Sequence, residues 1–242
     1  MAAGIDGWVA EDHGWTYSSE DAPTYIIRIP YDVTAFIGVG YRIKLTQNGT
    51  VKYFIVTAVG SYSSGATLVT VYGGTDYTLL DLTNFEDAIV NPMWSNAKAP
   101  FGFPVSPIKW TVTTSDAVGG SKSSPVAGTW YNASSFTVPI GLWTLKYKLD
   151  GTVDTNVINI RTSFFVTLST ANNSETDAEF TQGTEIQTVK DFISPTFSAS
   201  KVVSITVKTI YYLNMSTSVA NIADINTSVL NPTVLTAVCA YL

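Results

Sequence analysis

Lys201–Asn214 reads KVVSITVKTIYYLN. Val203, Ile205, Val207, Tyr211 and Leu213 fall at odd positions, and Ser204, Thr206, Lys208 and Asn214 at even ones. Successive side chains of an extended backbone point to opposite faces, so this pattern predicts a strand with one buried and one wet face. β-branched and aromatic residues dominate it, as suits a half-buried pleated surface. Three other stretches extend the reading. Gly141–Asp150 sets Trp143, Leu145, Tyr147 and Leu149 against Thr144, Lys146 and Lys148. Asn156–Ser169 places Ile158, Ile160, Phe164, Val166 and Leu168 inward, and Asn231–Leu242 ends in the apolar alternation LTAVCAYL. Together they predict a C-terminal β-sandwich, with the last strand paired inside the fold.

Upstream, Thr24–Pro30, Tyr41–Gln47, Val51–Gly60 and Ala66–Tyr72 read as four short strands. Asn48-Gly49 between the second and third is a strong hairpin signal, because both residues tolerate positive φ. Val51–Gly60 is apolar on both faces, as a central strand is. Leu79–Ala88 could hold a short helix. Asn91–Pro107 carries four prolines. Proline lacks a backbone donor, so this stretch is expected to lie outside any sheet and to connect two modules. The expected organisation is an arm over 1–22, a small barrel or sandwich over 23–90, a Pro-rich connection over 91–109 and a jelly-roll-like sandwich over 110–242. The fold class is all-β.

Composition narrows the function. Only 13% of the 242 residues are charged, about half the usual share. The net charge is −6 and no basic cluster occurs, so a nucleic-acid backbone finds little to hold it. No apolar run is long enough to span a membrane, and the chain opens without a basic segment followed by an apolar one, so neither membrane insertion nor classical secretion is expected. Asn-X-Ser/Thr sites at Asn48, Asn132, Asn172, Asn214 and Asn226 are accordingly ascribed to composition. Cys239 is the single cysteine; no intrachain disulfide can form, and its apolar setting predicts a buried thiol.

Little in the sequence carries catalysis. His13 is the one histidine, beside Asp12 in the arm, and a solvated imidazole is expected there rather than a catalytic one. Zinc sites built on His and Cys lack their ligands, and Gly119-Gly120 lacks the spacing of a phosphate loop. No cofactor is expected. Glu175, Asp177 and Glu179 alternate with Thr176 and Ala178, so an extended backbone would put all three carboxylates on one face. That face could bind calcium, could supply a glycosidase's acid pair, or could simply be a solvated edge that discourages strand pairing. Trp8 and Trp15 on the arm, with Trp94, Phe101 and Phe103 in the connection, are candidate anchoring aromatics. The paired aromatics Phe164/Phe165 and Tyr211/Tyr212 put one ring on each face of a strand. A monomer buries only one of each pair in its own core, which predicts an oligomeric interface.

WTYSS (Trp15–Ser19), GVGYRIKLTQNGTVKYFIVTAV (Gly38–Val59) and VTVYGGTDYTL (Val69–Leu79) resemble a module of virion structural proteins from tailed bacteriophages and prophages. GLWTLKYKLDG, FFVTLSTANNSETDAEF, VKTIYYLN and the closing AVCAYL resemble the C-terminal β-sandwich of phage fibre and spike proteins. The resemblance implies an accessory protein on the virion exterior: a short fibre, spike or head-fibre/decoration protein. It also implies a homotrimer attached to other virion proteins of the capsid or tail, with a distal sandwich that contacts a host-surface glycan. It transfers no receptor-binding residue. The alternatives are a pure capsid decoration protein, and a polysaccharide-degrading enzyme or lectin.

Overall fold

The computed structural model describes residues 4–81, 84–116, 120–155, 161–187, 194–219, 222–227 and 232–241. The strands are β1 (Val9–Ala10), β2 (Thr16–Asp21), β3 (Thr24–Ile29), β4 (Arg42–Gln47), β5 (Thr50–Val59), β6 (Thr67–Tyr72), β7 (Val90–Ser95), β8 (Thr111–Asp116) and β9 (Ser121–Ser123). They continue with β10 (Tyr131–Val138), β11 (Gly141–Thr155), β12 (Arg161–Ser169), β13 (Thr181–Gln187), β14 (Thr196–Ile205), β15 (Thr209–Thr217), β16 (Ile222–Thr227) and β17 (Thr233–Tyr241). The described helical content is three single 3-10 turns, one of them at Phe85–Asp87 inside the stretch read as a short helix. The chain is all-β, and none of its sheets closes into a barrel. It divides into two compact units, Met1–Thr111 with Pro139–Gly141 and Cys239–Leu242, and Val112–Val138 with Leu142–Val238.

The first unit is built on a seven-stranded sheet in the order β1-β7-β4-β5-β6-β3-β2. The β4–β5 hairpin closes at Asn48-Gly49, with φ of +48° and +65° and Gln47 opposite Thr50. These are the angles a two-residue type I′ turn demands. Ile27, Ile43, Leu45, Phe54 and Val69 form its buried core with Trp15. Gln47 is fully buried. Its amide donates to Leu80 O and Asp87 O at 2.9 and 2.7 Å and accepts from Leu80 N at 3.0 Å, which ties down the long connection after β6.

Two segments differ from their sequence reading. Residues 1–22 are not a loose arm: β1 and β2 supply the two edges of this sheet. The Pro-rich stretch, expected to lie outside any sheet, supplies β7, which pairs with both β1 and β4. Proline is tolerated because the β4–β7 register shifts between Lys44 and Thr46, opposite Asn91-Pro92. Asn91 takes a φ of +50°, and this bulge releases Pro92 from donating to the ladder.

The second unit pairs a four-stranded sheet, β10-β15-β12-β13, with a sheet in the order β8-β17-β11-β16-β9 to which β14 adds by pairing β11. The two face each other as a sandwich. Tyr147 on β11 donates its hydroxyl to Phe180 O at 3.0 Å, and Phe164 on β12 meets Phe197 on β14 edge-on at 5.5 Å. Trp143, Leu145, Tyr147, Leu149, Val166 and Leu168 are buried as their alternation predicts, and so are Leu235, Ala237 and Cys239 of the last strand. Ile158 and Ile160 lie outside the described residues.

Lys201–Asn214 is not one strand. It breaks at 206–208, so that β14 belongs to one sheet and β15 to the other. Val207, expected in the core, is exposed at the crossing. Phe165, expected to add to an open apolar patch, is half-buried within its own unit: it lies opposite Gly183 on β13, close enough that a Cβ there would sit 2.5 Å from its ring.

Candidate functional site

Glu175, Asp177 and Glu179 do not share the face of a strand. The chain leaves β12 through a polar loop and enters a 3-10 turn at Ala178–Phe180, which ends the alternation. Asp177 Oδ1 accepts from Glu179 N at 3.1 Å and so caps this turn. Its Oδ2 accepts from Lys201 Nζ at 2.6 Å. Glu179 Oε2 lies 2.9 Å from the same ammonium, whereas Glu175 Oε1 accepts from the Thr181 hydroxyl at 2.6 Å. The hydrogen bond from Lys201 holds the Asp177 carboxyl below its ordinary value, against a smaller opposing effect of burial. The Lys201 ammonium is raised in return, by Asp177 first and then Glu179. A lowered carboxyl is the opposite of what a glycosidase's general acid needs. Among the described residues no group of three or more His, Cys, Asp or Glu side chains converges as a metal site would.

The loop before the turn is fixed from below by Asn214. This fully buried side chain on β15 donates to Ala171 O at 3.0 Å and Ser174 O at 2.7 Å, and accepts from Asn173 N at 3.3 Å. Burial and these three bonds also close Asn214 to glycosylation. Thr176 adds a hydroxyl contact to Ser169 at 2.9 Å. Between this loop, β14 and the start of β15 lies a cleft of about 320 Å³, into which Asp177, Lys201, Ser204 and Tyr211 face. Tyr211 is 7% exposed, its ring packs 6.3 Å from Phe136, and its hydroxyl has no hydrogen-bond partner among the described residues. Burial raises that hydroxyl above its ordinary value, with the Asp177 charge adding to it, so it remains a protonated donor. Lys201 and Tyr211 carry no sequence signal of a site. Each read as an ordinary member of a strand.

The candidate anchoring aromatics belong to the first unit. Trp8 is buried, donates Nε1–H to Phe101 O at 2.9 Å and receives Lys44 Nζ over its ring at 5.4 Å. Trp15 is buried and donates to Tyr31 Oη at 3.2 Å. Trp94 is half-buried against Tyr41, stacked at 6.0 Å. Phe103 is buried, stacked on Trp110 at 5.3 Å, with Arg42 Cζ 5.2 Å from its ring centroid. Of the five, only Phe101 opens to solvent, at 81% exposure. His13 lies on the surface, 2.9 Å from Asp12 and 3.6 Å from Glu11.

No protein-family model matches the sequence, and no curated protein matches it. Solved structures with a similar course include the VP2 subviral particle of infectious bursal disease virus, at 11% identity over 98% of this chain and 74% of that one, with a TM-score of 0.38. Dimeric latent PorU from Porphyromonas gingivalis is 9% identical over 93% of this chain with a TM-score of 0.33, and this chain spans 24% of its length. The Arthrobacter globiformis T6 isomalto-dextranase complexed with panose is 11% identical over 92% of this chain and 36% of that one, with a TM-score of 0.26. The structures it is similar to thus include viral capsid proteins. At these identities and scores the likeness assigns no function. Among the described residues no helix is long and apolar enough to cross a membrane.

Proposed function

We propose that this chain is a structural protein on the exterior of a tailed-phage particle, a short fibre, spike or head-fibre/decoration protein. Its first unit attaches to other virion proteins, and its second presents a β-sandwich to a glycan of the host surface. One observation carries the reading. The stretches that resemble phage attachment modules, Trp15–Ser19, Gly38–Val59 and Val69–Leu79, lie in the first compact unit, whereas most of the fibre-like residues, 142–151, 164–180 and 207–214, lie in the second; Gly141 and the closing residues from Cys239 fall in the first. The first unit also exposes Phe101, Val105 and Ile108 on one short segment, a surface suited to burial against a neighbouring virion protein. In this reading the second unit binds without turnover. The assembly is a homotrimer, by the same resemblance.

Immunogold labelling of purified particles with antibody against the full chain tests the placement. Gold on the outside of head or tail is expected. Unlabelled particles, with the protein left in the soluble fraction of the lysate, refute it. Light scattering on the purified chain tests the assembly: three times 26.1 kDa is expected, and a mass of 26.1 kDa refutes the trimer. If the chain labels particles yet never competes with them for host cells, decoration of the capsid is its whole role.

A further inference from the structure

The cleft beside Lys201 is a built site rather than a gap in packing. Its volume, about 320 Å³, lies at the small end of ligand pockets. That admits one compact ring rather than a peptide. Its walls combine apolar surface from Val202, Val203 and Phe180 with fixed polar groups. Those groups are mixed in a particular way. Lys201 Nζ has three protons, of which Asp177 and Glu179 take two. Of the roughly four acceptor sites of the Asp177 carboxylate, Lys201 and the Glu179 and Phe180 N–H groups take three. Ser204 and Thr170 add hydroxyls at the rim. Tyr211 is more than nine-tenths buried as a residue, lines this cleft, and has no hydrogen-bond partner for its hydroxyl among the described residues. A hydroxyl on the wall of an open cleft is hydrated, and a ligand hydroxyl can take the place of that water.

Donors and acceptors so closely interleaved match a ligand whose every polar group both donates and accepts. Vicinal hydroxyls do this; a carboxylate or phosphate only accepts. The two carboxylates around a single ammonium leave the site with an excess negative charge, which disfavours anions. We propose that this cleft binds one neutral hexose-type sugar ring of a surface glycan, its hydroxyls taken by Tyr211, Lys201 and Asp177 and its C–H face laid on Val202 and Val203. This rests on the host-binding role proposed above for the second unit, and names the place and ligand class that the role requires.

Saturation-transfer NMR on the full chain provides the test, with methyl glycosides of glucose, galactose, mannose and N-acetylglucosamine as probes, and glucuronic acid and inorganic phosphate as anionic comparators. Transfer to at least one neutral sugar is expected, with none to glucuronic acid and no phosphate binding by phosphorus-detected line broadening. Tyr211→Phe, which keeps the ring against Phe136, should weaken binding about tenfold, and Lys201→Met at the rim should do the same. Far-UV circular dichroism checks that each variant folds; if Tyr211→Phe does not, Lys201→Met and Ser204→Ala decide. Absence of transfer to every neutral sugar, a preference for the anions, or transfer unchanged in the folded variants overturns the proposal. Competition with particles for host cells separates it from the role on which it rests. If wild type and variants compete equally, host binding stands and this cleft is not its site. If wild type binds a sugar but never competes, the cleft stands and the host-binding role fails.

Discussion

Tyr31→Phe removes one oxygen atom from the first unit and tests whether its N-terminal residues are structural. Glu11 sits between β1 and β2 with its carboxylate shut off from solvent. Oε2 accepts from the Tyr31 hydroxyl at 2.7 Å and Oε1 from Trp94 Nε1–H at 3.0 Å. The same hydroxyl accepts from Trp15 Nε1–H at 3.2 Å. A hydrogen bond to a charged group contributes about 1.5–3 kcal/mol, and a buried donor left without a partner costs about 1–3 kcal/mol. Tyr31 is only half-buried, so water partly replaces what is lost, and the expected total is about 2.5–3.5 kcal/mol, the lower part of the summed range.

Urea unfolding of the full chain, followed by tryptophan fluorescence, reads this loss as a lowered midpoint with an unchanged slope. Combining Tyr31→Phe with Glu11→Leu closes a double-mutant cycle, because leucine leaves no charge to satisfy. The coupling energy should be about 1–3 kcal/mol, the range for groups in direct contact. A loss in Tyr31→Phe below about 0.5 kcal/mol, the ordinary effect of a surface change, would refute the clamp. Strict additivity in the cycle would do so too. Residues 1–22 would then be ornamental to the unit after all.

Gly151→Ala should destabilise the second unit by about 1–3 kcal/mol through overpacking, since the new Cβ would sit 2.4 Å from Phe164 Cε1; in a Phe164→Leu background most of that loss should vanish, and thermal unfolding of the four variants checks it. The pH dependence of Lys201→Met isolates the Asp177–Lys201 pair. Asp177 is lowered in the folded chain, so its contribution is present above its ordinary value of 3.8 and is lost as pH falls through the lowered one; Lys201 is raised, so its contribution holds below its ordinary 10.5 and is lost as pH climbs through the raised value. The gap in melting temperature between wild type and Lys201→Met should therefore be widest between those limits and shrink on both sides, and a gap indifferent to pH would show that the pair contributes nothing.

The fold was legible where a local rule decides it. Asn48-Gly49 dictates a turn whatever the tertiary setting, and the alternation of Trp143 to Leu149 has one reading only. It was less legible where a partner strand decides. Pro92 forbids a regular ladder, but the rule says nothing of a bulge supplied by the pairing with β4. Gly151 does not end β11 at Asp150, because the absent side chain is where the Phe164 ring lies. The arm looked irregular because β1 is only two residues long, too short to show any period. Its real constraint is a buried carboxylate whose partners, Tyr31 and Trp94, are distant in sequence.

The site was hidden by the very stretch that revealed the fold. Alternation has a period of two, and the three-residue break at 206–208 leaves it in phase: Ile205 and Tyr211, six positions apart, are both buried, on either side of a crossing with no glycine or proline to mark it. Taken as one extended strand, the ten steps from Lys201 to Tyr211 would span about 33 Å, and the two side chains could never meet one ligand. Because the chain passes from one sheet to the other at 206–208, both line the same cleft. The crossing has a second consequence. Strand β14 pairs with β11, so Lys201 reaches the 3-10 turn from outside the four-stranded sheet and captures Asp177 and Glu179 there. The acids that alternation would have lined up as a metal or catalytic face are instead divided, two around one ammonium and one on a threonine. What they form is a fixed set of donors and acceptors, and the sugar proposed for the cleft is matched to that set.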